Sequence, residues 1–323
     1  SVILGRDMEE QILSRLPARS LVRFRTVCKH WNGLHNDKSF LDNQLSRSRP
    51  QFIFLSESKI YSIHIDLGGV DPTVGWIDYA DKKFDFCGVG YDTSRPEKGY
   101  KILRYITRFR RVCHNVQTTY ETVVILECSS HALRSLDAPF KQWPTMDPLS
   151  LNGNLYWVTQ DRDTEEYFIR SFDFSREIFK PICLLPCQRF NWLFNQLVLA
   201  VFEGDRFSLL KQCYETGKIE VWVTKKKIDD DDDNGEQVVW ISLMTLPTTN
   251  LPKLLFSDVR YFISDKTLIM CCGDDQTLAA CIYFVREDLF KKIQIDSGIV
   301  LFSHCVYLPN FIPVPLEFRS PQV

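Results

Sequence analysis

Apolar positions recur at two different periods along the chain, and the change falls near residue 50. Over residues 1 to about 47, Met8, Ile12, Leu13 and Leu16 share one face of a 3.6-residue period. Leu21, Phe24, Val27, Cys28 and Trp31 continue such a stripe through Leu34, with Arg19, Arg23, Arg25 and Lys29 largely off it. Asp7 followed by Glu10 reads as a capping-box-like start, in which a short acceptor side chain satisfies free amide donors and the later carboxylate reaches back. Pro17 has no amide hydrogen and a ring that clashes with the preceding turn, so the first helix is predicted to end near Arg15 or Leu16. Phe40, Leu41 and Leu45 predict a further short helix before the extended Ser46-Arg47-Ser48-Arg49-Pro50 connection. So small a helical unit buries little apolar surface against its chain entropy. It needs a partner, or else caps the larger part of the chain.

From Gln51 onward the segments are short, apolar or alternating, and bounded by turn signals, as antiparallel strands require. Clear cases are 52–55, 100–103, 122–126, 155–158, 168–172, 219–223 and 267–270. No long helical stripe interrupts them, so the region is predicted to be all-β rather than an α/β enzyme fold. A weak repeat sharpens this. Gly153-Asn154-Leu155, Gly204-Asp205-Arg206 and Ser264-Asp265-Lys266 each place a polar turn before a strand, at spacings of 51 and then 60 residues. A period near 50 suits a four-stranded propeller blade, whereas a β-sandwich would give similar strands without a period.

Composition then removes whole classes. The 323 residues are 45% hydrophobic, and 39 Lys and Arg nearly balance 41 Asp and Glu, which excludes a disordered chain and a globally basic nucleic-acid binder. Apolar runs such as 197–202 fall far short of the roughly 20 residues that cross a bilayer. The first residues lack the pattern of a secretory signal, so the expected location is cytoplasm or nucleus. Eleven cysteines without a C-x-x-C are expected to be reduced and mostly buried, with no zinc ribbon.

Catalytic patterns are missing: there is no G-x-S-x-G, H-E-x-x-H, Walker A or dinucleotide glycine fingerprint. No cofactor or metal is therefore expected. Five consecutive Asp, 229–233, lack the alternating spacing of a calcium loop and read as a solvated hairpin loop. Arg104, Arg108, Arg110 and Arg111 form one local basic cluster, read as a polar sheet face rather than an anion site.

The N-terminal residues carry a resemblance. Leu4-Gly5-Arg6-Asp7-Met8, then Ile12-Leu13-Ser14-Arg15-Leu16-Pro17, then Leu21 through Trp31, with Leu34, Asp37 and Phe40 downstream, resemble an F-box. That resemblance implies a small helical bundle docking on a Skp-type adaptor and, through it, a cullin. It implies adaptor contacts at Leu4, Ile12, Leu13, Leu16, Pro17, Leu21, Val27 and Trp31. The usual Leu-Pro opening is Leu4-Gly5 here, which preorganises the turn less and predicts weaker adaptor affinity. Further on, Gly90-Tyr91-Asp92, Leu151 through Trp157, Ser171 through Ser175, Phe202 through Leu210 and Ile219 through Thr224 resemble a plant F-box-associated domain of the first, kelch-related type. Two or so strands of that pattern are expected to be missing near residues 65–75, which leaves an incomplete first blade or an exposed edge, or else reflects only a faulty gene model.

The expected fold class is α+β multidomain: a small helical F-box at 1–47, then an all-β, propeller-like domain at 51–323. The resemblance implies a non-catalytic substrate-recognition subunit of a Skp/cullin/F-box ubiquitin ligase, its β domain holding an unidentified target protein. The alternative is a non-ligase interaction module in which the helices merely cap a propeller-like scaffold.

Overall fold

The computed structural model describes residues 6–307, apart from 17, 35–36, 48–50, 57–58, 67–72, 80–87, 95–98, 113–114, 129, 131, 138–147, 162–163, 165, 188–194, 229–237, 247–250, 255–258, 275, 278 and 296–302. The N-terminal part folds into four helices: α1 (Arg6–Leu13), α2 (Ala18–Phe24), α3 (Lys29–Gly33) and α4 (Lys38–Arg47). The apolar stripe from Leu21 to Leu34 is therefore not one helix. Side chains that compete for the backbone break it: Thr26 Oγ1 donates to Arg23 O at 3.0 Å, and extended Cys28 caps α3, its sulfur accepting from Trp31 N–H at 3.4 Å. Asp37 caps α4 through Phe40 N–H, at 2.9 Å.

After α4 the described residues contain no further α-helix and are mainly strand and turn. The first sheet joins β1 (Gln51–Ser56), β2 (Lys59–Asp66) and β3 (Thr73–Tyr79) to β20 (Ser303–Tyr307), in the order β20-β1-β2-β3. The second holds β4 (Gly88–Tyr91), β5 (Tyr100–Val112), β6 (Asn115–Glu127) and β7 (Ala132–Leu136). The third holds β8 (Leu149–Leu151), β9 (Asn154–Gln160), β10 (Tyr167–Asp173) and β11 (Ile178–Leu184). The fourth holds β12 (Asn195–Phe202), β13 (Arg206–Cys213), β14 (Ile219–Thr224) and β15 (Trp240–Leu246). The fifth holds β16 (Arg260–Ser264), β17 (Thr267–Gly273), β18 (Ala280–Arg286) and β19 (Leu289–Gln294). Neighbouring strands pair antiparallel, as in β1–β2, β1–β20, β9–β10, β13–β14, β16–β17 and β5–β6. The first sheet is not incomplete: β20 returns from the far end of the chain as its fourth strand, with Phe52 opposite Val306.

The chain divides into two compact units, Ser1–Lys82 with Arg260–Phe284 and Leu289–Val323, and Lys83–Val259 with Val285–Asp288. Within the second unit, β9 shows why the sheets stack. Its side chains alternate faces, and both faces are buried. Leu155 and Trp157 pack with Leu103, Val123, Ile125, Phe172 and Phe174. Tyr156 and Val158 pack with Leu197, Leu199, Phe207 and Leu209 of the fourth sheet. A continuous apolar run such as Leu155-Tyr156-Trp157-Val158 is thus the signature of a strand covered on both sides. Within the first unit, Phe52 packs with Phe262, Ile269, Ile282 and Phe284.

The three repeat segments occupy equivalent places, the turn between first and second strands of the third, fourth and fifth sheets. Asn152 and Gly153 have φ 52° and 88°, Glu203 and Gly204 have 51° and 86°, and Asp265 and Lys266 have 48° and 59°. Two successive left-handed residues give a hairpin turn whose twist matches its strands, which accounts for the polar and glycine residues there.

Candidate functional site

The helical module has a closed core and an open apolar surface. Leu13, Leu21, Leu34 and Phe40 are buried together, with Leu16, Phe24 and Trp31 packed against them. Phe24 and Trp31 meet edge to face at 5.7 Å, and the Trp31 indole donates to Glu9 Oε2 at 3.1 Å, tying α3 to α1. His30 Nε2 lies 3.9 Å from Glu10 Oε1 on the same pair of helices. Against that ordered frame Met8 is 55% exposed, Ile12 49% and Val27 58%. Met8 and Ile12 are one turn apart on α1, and Val27 sits in the turn that breaks the stripe, its N–H bonded to Phe24 O at 3.1 Å. Three large aliphatic side chains are thus left exposed around a small closed core.

The eight residues singled out from the sequence divide by burial. Ile12 and Val27 are exposed, Leu16 and Trp31 are half-buried, and Leu13 and Leu21 lie inside the core, where they position the surface. Leu4 and Pro17 fall outside the described residues. Met8 was absent from that set; its spacing of four from Ile12 was the signal for it.

In the β region the turns between second and third strands share a motif that sequence inspection missed. Asp161, Cys213 and Asp274 each precede a threonine by three residues, at Thr164, Thr216 and Thr277. Asp161 Oδ1 accepts from Thr164 N–H at 3.1 Å and Asp274 Oδ1 from Thr277 N–H at 2.9 Å. Cys213 stands in the same place, and Thr216 lowers its thiol. Each threonine hydroxyl accepts an amide two residues on, from Glu166, Lys218 and Ala279. Each turn is closed by a backbone bond from the first residue, at 2.8, 3.0 and 2.9 Å. These carboxylates accept from local backbone donors and so build the turns. At Asp274 the Lys292 ammonium is a further partner, and with the Thr277 donors it holds the carboxyl well below the usual carboxylate range.

Four loops of the β region, 93–99, 161–166, 189–192 and 273–276, carry polar residues that could meet a target; 161–166 and 273–276 are turns of this kind, whereas 93–99 joins first to second strand at the other end of its sheet. Its first residues are held in place: Thr93 N–H donates to Ser175 Oγ at 2.8 Å, and Asp92 Oδ1 accepts from Ser94 N–H at 3.0 Å. The 189–192 loop and the Asp229–Asp233 run lie outside the described residues, and the arginine cluster falls on β5, where only the backbone is described. Buried Lys101 bridges the second and third sheets, donating to Phe174 O at 2.9 Å and Glu177 Oε1 at 2.7 Å. Burial pushes the Glu177 carboxyl up, but Arg134 and Lys101 outweigh it and leave it below its ordinary value.

A family model described as an F-box associated β-propeller domain matches residues 72–314, and one described as F-box-like matches residues 10–47. Among curated proteins of Arabidopsis thaliana, F-box protein At3g17710 is 54% identical, with 100% of both chains covered. Putative F-box/LRR-repeat protein At3g16555 is 50% identical, covering 98% of this chain and 99% of the relative. Protein SUPPRESSOR OF NIM1 1 is 48% identical, covering 96% and 98%. The first of these alignments runs over 373 residues against the 323 of this chain, so about 50 of its positions have no counterpart here.

Proposed function

The chain belongs to the F-box proteins that carry an F-box associated β-propeller domain, and we propose that it is the substrate-recognition subunit of a Skp/cullin/F-box ubiquitin ligase. Residues 1–47 dock on a Skp-type adaptor, and the β domain, 51–323, captures a target protein. The observation that carries the docking half is the exposure of Met8, Ile12 and Val27 around a core already closed by Leu13, Leu21, Leu34 and Phe40. Burying such side chains against an adaptor groove is favourable by roughly 1.5–3 kcal/mol for each fully covered residue. Leu16 and Trp31, half-buried against the core, contribute their exposed parts to the contact, while Leu13 and Leu21 act through the shape of the core. Leu4 and Pro17 complete the contact.

The chain performs no covalent step in this reading. Its contribution is proximity: holding the target beside a charged ubiquitin-conjugating enzyme converts an encounter between separate molecules into an intramolecular one. The working location is cytoplasm or nucleus, where that machinery operates. Among the described residues no helix is long and apolar enough to cross a membrane. The alignment, in which about 50 positions have no counterpart here, supports a shortened region, which we place near residues 65–75.

Co-expression with a Skp-type adaptor tests the assignment. The adaptor is expected to co-purify with the full chain and not with residues 51–323. Co-purification of the truncated chain, or none with the full chain, would remove the ligase reading.

A further inference from the structure

The outer strands of the five sheets differ in one respect. An outer strand presents unpaired backbone groups, and proteins guard it with charge, proline, a bulge or a covering element. Arg134 stands in β7, Lys180 and Pro181 in β11, Lys291 and Lys292 in β19, and Gly75 and Asp78 in β3. Strand β15, Trp-Ile-Ser-Leu-Met-Thr-Leu, has no charged residue, proline or glycine, and its bulge falls only at Leu243. Val239 just before it is 53% exposed, Ile241 45% and Leu243 38%, a row of aliphatic side chains at every second position.

The backbone of β15 fixes what could pair with it. Lys225 N–H donates to Val239 O at 2.8 Å, so Val239 and, two along, Ile241 aim their backbone groups at β14. Trp240 and Ser242 aim theirs outward, where no strand pairs with β15 among the described residues. The strand is held in place from behind by the Trp240 indole, which donates to Leu184 O at 3.0 Å. A bulge at Leu243, where Val221 pairs with Met244 and Trp222 with Ser242, ends the regular run.

We propose that β15 is the edge on which a second copy of this chain docks, by antiparallel β15–β15 pairing that joins two four-stranded sheets into one. A twofold axis at Ile241 sets Trp240 opposite Ser242 of the second copy, so those residues exchange backbone hydrogen bonds on both sides of the axis. Ile241 then faces its own copy and Val239 faces Leu243, so each exposed aliphatic residue meets another and no charge meets a charge. The strand is complementary to itself, and the other outer strands would set lysine, arginine, proline or glycine against it. The short contact predicts a weak dimer, in about the micromolar range. The pairing is independent of adaptor docking.

Sedimentation velocity of the full chain between about 1 and 100 µM tests it. The weight-average mass is expected to climb from 37.8 kDa toward twice that value. Ile241→Lys places like charges face to face at the axis and is expected to weaken association at least tenfold. Ser242→Pro removes an outward donor without adding charge or breaking a bond to β14, and should do the same. Leu133→Lys, at a 64% exposed position on β7, should leave association unchanged. Circular dichroism confirms that each variant is folded. A monomer at every concentration, or association that survives both β15 variants, overturns the proposal.

Discussion

Replacing Gly90 by alanine should unfold the second unit at a markedly lower temperature. Gly90 lies on β4, where that strand crosses the turn before β9, and Tyr91 N–H donates to Gly153 O at 2.9 Å. A methyl group on Gly90 would stand 2.1 Å from Phe174 Cδ2 and 2.3 Å from Gly153 O. Neither neighbour has room to retreat. Phe174 is fully buried, with Phe172 edge-on at 4.9 Å, and Gly153 is fixed at φ 88° by its hairpin. The strand must shift, which costs about 1–3 kcal/mol in overpacking. The Tyr91–Gly153 bond is lost with it, at about 1 kcal/mol. At roughly 2–4 °C per kcal/mol for a unit of this size, the combined loss lowers the midpoint by about 5–15 °C. Thermal unfolding of the full chain followed by circular dichroism measures this. Gly33→Ala is the control: nothing lies within 4 Å of the added methyl, and alanine is the better helix former, so its midpoint should hold or rise. A Gly90→Ala midpoint within about 1 °C of wild type would refute the close-approach argument.

Two further expectations concern the turns. Asp274 has its carboxyl held below its unfolded value, which lies near 3.8. Its contribution is therefore fully present above that value and lost as pH falls through the lower, folded one. Asp274→Asn should cost about 1–3 kcal/mol in urea melts at pH 7 and flatten the acid limb below about pH 4; an acid limb identical to wild type would count against the Lys292 pairing. Thr216 lowers the Cys213 thiol, whereas burial pushes Cys183 up to about 12. Alkylation mapped by peptide mass spectrometry should find Cys213 faster than Cys183, and Thr216→Val should slow Cys213 several-fold. Equal rates in wild type and variant would show that Thr216 does not tune the thiol.

The shift of apolar period near residue 50 was legible because helices and strands bury different sets of positions: α4 ends at Arg47 and β1 begins at Gln51. The repeated polar turns were legible for a local reason too, since left-handed residues restrict what can stand there. What escaped notice is non-local or competitive. Strand β20 pairs with β1 across some 250 residues, and no feature of either segment names its partner. The stripe from Leu21 to Leu34 has helical spacing throughout, yet Thr26 and Cys28 divert the backbone between α2 and α3 and bring Val27 to the surface. Periodicity also marked Ile12 and Leu13 alike, although one is half exposed and the other is core; the stripe is wide enough that its edge and its centre read the same. The turn motif was hidden at Cys213, where a thiol replaces the carboxylate of Asp161 and Asp274.

Calorimetric titration of the full chain with a purified Skp-type adaptor tests the central claim most directly. The account predicts saturable one-to-one binding by wild type. Ile12→Asp and Val27→Asp, both at exposed positions that leave the helical core intact, should each weaken it by about 2 kcal/mol or more, some thirty-fold, while Leu133→Asp on β7 leaves it unchanged. No binding by wild type, or the same affinity in all three variants, would contradict it.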